Sequence, residues 1–222
     1  MKVLLVCDDI WHPSEVIEKG LEALRDPRFT FDIVKAAKDI LTPERIAAYP
    51  VILCCKGDSV NASNTAPWFE EGVTEVGPGQ LEDYVRAGGG FISLHACNTA
   101  GPQSPMSAFI GNVFLGHPPR CAVDIKVSAA HPVTVGIRDF RIRDEHYQIQ
   151  LVADDATVLL HSESPAGGRQ PACYVRHLGQ GRLCALTPGH TLDVWENAPF
   201  QRLLTNALLW CARVQEAVPG RV

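Results

Sequence analysis

The chain alternates between short uninterrupted apolar runs and stretches whose apolar residues recur every three or four positions. Residues 2–7 form the first run, and residues 14–24 follow with Val16, Ile17, Leu21 and Leu24 at helical spacing behind a Ser14 N-cap. Residues 29–34 and 51–55 read as two further strands, the second β-branched at its start. Residues 78–87 place Leu81, Tyr84 and Val85 on one helical face. They run through Gly88, Gly89 and Gly90 into an apolar strand that stops abruptly on His95. A helix, a glycine break and a strand make the return half of a right-handed crossover, so this half of the chain predicts a mostly parallel sheet.

Beyond this point the pattern changes. Residues 121–127, 140–143, 147–152, 157–161, 172–177 and 182–186 are short strand-like pieces between turn residues, several alternating apolar with polar. That alternation predicts antiparallel additions to the sheet. Phe200, Leu203, Leu204, Ala207, Leu208 and Cys211 close the chain at helical spacing, a terminal helix docked by one face. Two long connections remain. Residues 57–79 carry Asn61, Asn64, Trp68, Phe69, Glu70 and Glu71, and residues 98–119 are rich in Pro, Gly and Ser. Loops of that length in compact domains are usually binding segments or lids.

With 222 residues, 46% hydrophobic and 20% charged, the chain is read as one domain over residues 1–214 with a short tail over 215–222. A net charge of -5 with scattered Lys and Arg leaves no footprint for nucleic acid. No apolar run approaches the roughly 20 residues of a membrane helix, and the first run is too short for a signal peptide. The expectation is therefore a cytoplasmic protein with a small-molecule partner, and long apolar-tipped loops are compatible with a homo-oligomer. Of the eight cysteines, Cys7, Cys54, Cys55, Cys173, Cys184 and Cys211 sit inside apolar runs and read as reduced packing residues. No Cys-x-x-Cys pair suggests a zinc ribbon, and no Gly-x-Gly-x-x-Gly follows the first strand to suggest a dinucleotide.

Open α/β sheets keep their chemistry beyond the carboxyl ends of the strands, which is where His95 falls. His117 lies in a loop fixed by Pro118 and Pro119, and His190 follows the strand at 182–186. Three such imidazoles, His95, His117 and His190, could bind a divalent metal, zinc or similar, or shuttle protons. Asp144 and Glu145 are adjacent carboxylates, and because strand neighbours face opposite ways only one can enter a given site, as general base or metal ligand. Tyr147 would share the side of Glu145. In the loop after the first strand, Trp11 could stack on a sugar ring while His12 or Asp9 binds hydroxyls; helix capping accounts for the loop acids equally well. Asn98 and Trp195 complete the candidate substrate contacts. Cys97 could act as a nucleophile with His190 as its base, or be a plain small residue. His131, His161 and His177 read as structural.

The ordered series Gly88 to His95, Gly116-His117-Pro118, His131-Pro132-Val133-Thr134-x-Gly136, Asp144-Glu145-x-Tyr147, Gly179-x-Gly181-Arg182 and Gly189-His190, followed by Leu208-Leu209-Trp210, resembles the ThuA-like, or trehalose-utilisation, family over nearly the whole chain. The resemblance implies a class I glutamine-amidotransferase-like fold, a flavodoxin-like layered sheet. It also implies a substrate class, trehalose and related disaccharides, in company with sugar dehydrogenases. Amidotransferases of that fold carry Cys at the strand-to-turn elbow and complete their triad with His-x-Glu. Here the elbow holds His95, and Leu192 stands two positions after His190.

The expectation is an α/β protein acting on a glycoside or keto-sugar through His95, Glu145, His190 and Asp144, with metal assistance as an option. The alternatives are a non-catalytic sugar-binding or regulatory module and a Cys-dependent hydrolase or amidotransferase.

Overall fold

The computed structural model describes residues 1–35, 37, 40–57 and 76–214. Its centre is a nine-stranded sheet. Five strands are parallel: β1 (Lys2–Val6), β2 (Thr30–Val34), β3 (Val51–Cys54), β4 (Gly90–Leu94) and the late β11 (Gly181–Leu186). The antiparallel part is built from β10 (Gly168–Leu178), β9 (Thr157–Ser164), β6 (Cys121–Val127) and β7 (Phe140–Asp144). The spatial order is β2-β1-β3-β4-β11-β10-β9-β6-β7. Its first four strands follow the 2-1-3-4 order of flavodoxin-like sheets, with β11 in the fifth place. A separate antiparallel pair joins β5 (Asn112–Gly116) to β8 (Gln148–Leu151).

Both faces of the parallel part are covered, which is why these strands read as unbroken apolar runs. Side-chain alternation divides them between two cores. Val3, Leu5, Leu53, Ile92, Leu94, Cys184 and Leu186 pack with residues of α1 (Ser14–Leu24), α5 (Leu192–Trp195) and α6 (Ala198–Cys211). Leu4, Val6, Ile52, Phe91, Leu183 and Ala185 pack with those of α2 (Pro43–Ala47), α3 (Pro78–Arg86) and α4 (Pro105–Ile110). Helix α1 lies so close to α5 that a Cβ on Gly20 would stand 2.4 Å from the Trp195 Cβ.

The structure corrects several expectations. Ser14 is the first helical residue and not the cap; Pro13 occupies the cap position, and the Ser14 N–H is taken by Asp8 Oδ1 at 3.1 Å. Residues 98–119 are not one irregular loop, because α4 and β5 form within them, helped by the Ser104 hydroxyl accepting from Met106 N. Strands β9 and β10 run further than their apolar cores, joined by a turn with Gly168 at φ +66°, since a two-stranded register carries polar residues along with it. Residues 144–147, read as a break between two strand-like pieces, are in addition a change of sheet: β7 ends at Asp144 in the large sheet and β8 begins at Gln148 in the small one. Of the other long connection, residues 58–75, with Asn61, Asn64, Trp68, Phe69, Glu70 and Glu71, lie outside the described residues, as does the expected tail at 215–222. All eight cysteines are free thiols. Among the described residues no helix is long and apolar enough to cross a membrane.

The register sets the rim. Val6 pairs with Cys54, Cys54 with Ser93 and Leu94 with Leu186, so β1, β3, β4 and β11 end level with one another. The turn that opens β11 is equally tight at the opposite end, where a Cβ on Gly181 would lie 1.8 Å from the Val85 carbonyl oxygen. Gly181→Ala is expected to lower stability by more than about 2 kcal/mol in urea unfolding. Gly79→Ala, which meets nothing within 4 Å in α3, should be neutral or raise it by up to about 1 kcal/mol. Equal effects of the two would contradict this packing.

Candidate functional site

Four chain segments meet above the level strand ends. His95 directly follows β4 with φ +44°, a left-handed conformation that is uncommon outside glycine and marks a sharp elbow. Its Nδ1 lies 2.7 Å from the Thr187 carbonyl oxygen. A carbonyl only accepts, so the ring proton sits on Nδ1 and Nε2 presents a lone pair outward. His12, after β1, is held the same way by Asp9. Asp9 Oδ1 lies 2.8 Å from His12 Nδ1 and also accepts the Trp11 and His12 N–H groups, while Oδ2 accepts from Gly57 N at 3.0 Å. The fully occupied carboxylate fixes the proton on Nδ1 and turns Nε2 away from Asp9.

His190 is set by its loop. Gly189 has φ +141°, and its N–H and that of His190 both donate to the buried Asp144 carboxylate, at 2.8 and 3.2 Å. The Trp195 indole N–H donates to the Gly189 carbonyl at 2.8 Å from beneath. Glu145 arrives from the passage between the two sheets. Its Oε2 lies 3.3 Å from His190 Nδ1, 3.5 Å from His95 Nε2 and 3.6 Å from His117 Nε2.

The three inner imidazoles form a compact triangle, with ring centroids 5.0, 5.3 and 5.4 Å apart. His12 Nε2, His95 Nε2 and His190 Nδ1 are buried and have no hydrogen-bond partner among the described residues. With a Glu145 oxygen, these ligand atoms all lie within 4.8 Å of one another, a donor set of the kind that holds a metal ion. A void of about 10 Å³ beside the rings is lined by His12, His95 and His190 together with apolar residues such as Val16, Ile17, Leu94 and Trp195. That void is too small to hold a sugar.

Burial opposes ionisation of Glu145, but the neighbouring His95, His190 and His117 outweigh it and hold the carboxyl below its usual range. Burial likewise opposes Asp9, and His12 with the Gly57 and Trp11 N–H groups overcomes it. Asp144 goes the other way, raised by burial against the pull of His95 and its N–H donors. His190 is pushed down to about 4 by burial and by His95, with Glu145 opposing. At neutral pH the site therefore holds an ionised Glu145 and an uncharged His190.

The structure brings His95, Glu145 and His190 together and adds His12, expected only as a substrate contact, as the fourth member. His117 is corrected as a member of the inner set: it touches Glu145 from the outer side with its side chain 34% exposed. Asp144 is corrected as a reacting group, because both oxygens are engaged by backbone N–H groups behind the site. Asn98 is also corrected: its amide is buried and tied to Ser93 and Leu186. Trp195 is buried under the loop, with its indole N–H engaged by the Gly189 carbonyl. Tyr147, also buried, stacks on His95 at 4.1 Å and walls the site, with burial pushing its phenol well up. Trp11 is 65% exposed beside His12. Cys97 is overturned as a nucleophile: it packs in the core on the far face of the sheet, and burial pushes its thiol well above the usual range. Thr187, whose carbonyl orients His95, had no signal in its side chain. His12 had one, the Asp9-x-x-His12 spacing in a loop after the first strand.

The family model for ThuA, described as trehalose utilisation, matches residues 2–211. Among solved structures, a ThuA-like protein from Bacteroides uniformis is 22% identical, with TM-score 0.73 over 95% of this chain and 91% of that one. Another from Parabacteroides merdae is 18% identical, with TM-score 0.76 over 100% and 92%. A β-galactosidase from Rahnella sp. R3 is 15% identical, with TM-score 0.66, over 98% of this chain but 32% of its own. At these identities the likeness is one of fold. Among curated proteins none matches the chain.

The His190 environment carries a sign for stability. Between pH 6.5 and about 4 the unfolded chain binds a proton that the folded chain refuses. The stabilisation is complete above 6.5 and drains away as pH falls, at about 1.4 kcal/mol per pH unit and about 3 kcal/mol in all. Urea unfolding in chelating buffer should show this slope in the parent and a flatter one in His190→Ala; equal slopes would refute the assignment.

Proposed function

This chain belongs to the ThuA family, and from that premise we propose that it is a carbohydrate-processing enzyme acting on a glycoside or keto-sugar, with His12, His95, Glu145 and His190 as its reacting centre. The observation that carries the reading is the convergence of Glu145 Oε2, at 3.3 to 3.6 Å, on imidazoles from three separate segments. Such a carboxylate, ionised and set among imidazoles, is suited to remove a proton from the carbon beside a carbonyl or to activate a water.

The family's description supplies the substrate class, trehalose-type disaccharides. The part-length likeness to a β-galactosidase is in keeping with a sugar context. Trp11 offers an exposed aromatic face next to His12 on which a sugar ring can stack. His117, solvent-facing and within 3.6 Å of Glu145, lies where a proton leaving the carboxylate would next be taken up.

The test is turnover of keto-disaccharides and of their parent glycosides, followed by product chromatography. Glu145→Gln should lower kcat at least about 100-fold. Trp11→Ala should raise KM about tenfold while leaving kcat within a few-fold, the mark of lost uniform binding. Tight sugar binding by calorimetry with no product would overturn the enzymatic reading in favour of a sugar-binding module.

A further inference from the structure

We propose that His12 Nε2, His95 Nε2, His190 Nδ1 and one Glu145 oxygen bind a single divalent transition-metal ion of the zinc type. The inference concerns the same cluster but rests on ring geometry alone, and it would stand with a different substrate.

The first ground is satisfaction of polar atoms. A buried acceptor without a donor is costly, and among the described residues three such nitrogens lie within 4.8 Å of one another. Separate structural explanations would be needed for three unrelated orphans; one cation satisfies them together. The second ground is sign. His95 keeps its proton on the nitrogen facing Thr187, so its Nε2 lone pair meets a Glu145 oxygen at 3.5 Å. In the neutral ring that lone pair faces a carboxylate oxygen, a repulsion that a proton on Nε2 or a cation between the two atoms removes.

The third ground lies in what stands behind the rings. Metal-binding histidines donate their other N–H to a carboxylate or a backbone carbonyl, which fixes the tautomer and raises the basicity of the ligand nitrogen. His12 does so to Asp9 at 2.8 Å and His95 to Thr187 at 2.7 Å. Asp9 is itself immobilised by three N–H groups, so the outer partner is as rigid as the inner. Size agrees as well. Nitrogen ligands at 2.0–2.1 Å in a tetrahedral site lie about 3.3 Å apart, and the donor atoms here fall within 4.8 Å. Small side-chain rotations close that difference. Three imidazoles and one carboxylate favour zinc, cobalt or nickel over magnesium or calcium, which prefer all-oxygen shells. Bound there, such an ion would act as a Lewis acid toward a carbonyl or hydroxyl oxygen.

The experiment is titration of chelator-stripped full-length protein with ZnCl2 by calorimetry, and with CoCl2 by visible absorption. The expected result is one ion per chain, with cobalt giving the intense visible bands of a four-coordinate site. His12→Ala and His190→Ala should each weaken zinc binding at least about 100-fold, and Asp9→Asn about 10- to 100-fold. His117→Ala, which removes a ring outside the set, should change it less than about threefold. Should the histidine variants fail to fold, Glu145→Gln supplies the same test with an expected loss of at least about tenfold. Absence of stoichiometric binding, or binding that survives Glu145→Gln and Asp9→Asn unchanged, would overturn the proposal. Zinc binding without sugar turnover would sustain it while sinking the enzymatic reading, so the two fail separately.

Discussion

The parallel pairing of β4 with β11 is the constraint on which the site depends. Leu94 stands opposite Leu186, so the residues that follow each strand emerge side by side, and His95 can place its Nδ1 proton on the Thr187 carbonyl. A slip of one residue would turn every side chain of β11 to the other face and move Gly189 and His190 away from the elbow. His95 and His190 lie 95 positions apart in sequence, yet their relation is fixed by a backbone ladder and not by flexible side chains. Asp144 reinforces this from a third direction, because its carboxylate grips the Gly189 and His190 N–H groups while its neighbour Glu145 reaches into the cluster.

Much of the architecture was legible because parallel strands buried on both faces leave a signature that needs no partner to interpret. The runs at 2–7, 51–55 and 182–186, the helix at 14–24 and the terminal amphipathic helix all correspond closely to elements of the fold. What escaped was structure created by partners. Strand β5 is defined by its pairing with β8, and the sequence at 98–119 carries little strand signal of its own. The break at 144–147 is visible in the sequence, but the change of sheet made there is not.

At the site, strand-end logic located His95 and His190, because position relative to a strand is a local property. It erred on Asn98 and Trp195, whose polar groups are consumed inside the fold, and on His117, since distance from the centre is not encoded in loop composition. Asp144 ends β7 and Glu145 lies beyond it, so strand alternation does not govern the pair, yet the two carboxylates part all the same: Glu145 faces the imidazoles and Asp144 secures the loop that presents one of them. Cys97 illustrates the converse error. The residue lies only two positions from the elbow, and the short helical turn of His95–Asn98 carries it to the opposite core.

The close seat of α1 on Trp195 reaches beyond packing. With no side chain at Gly20, the helix backbone rests against the indole, and that indole in turn holds the Gly189 carbonyl next to His190. The helix and the imidazole are thus linked through a single rigid ring, like a rod bearing on a hinge. Bulk added at position 20 would be transmitted as a tilt of His190 although no atom of α1 need touch a ligand, and drift at a buried glycine could retune the reactivity of the rim without altering any residue displayed there.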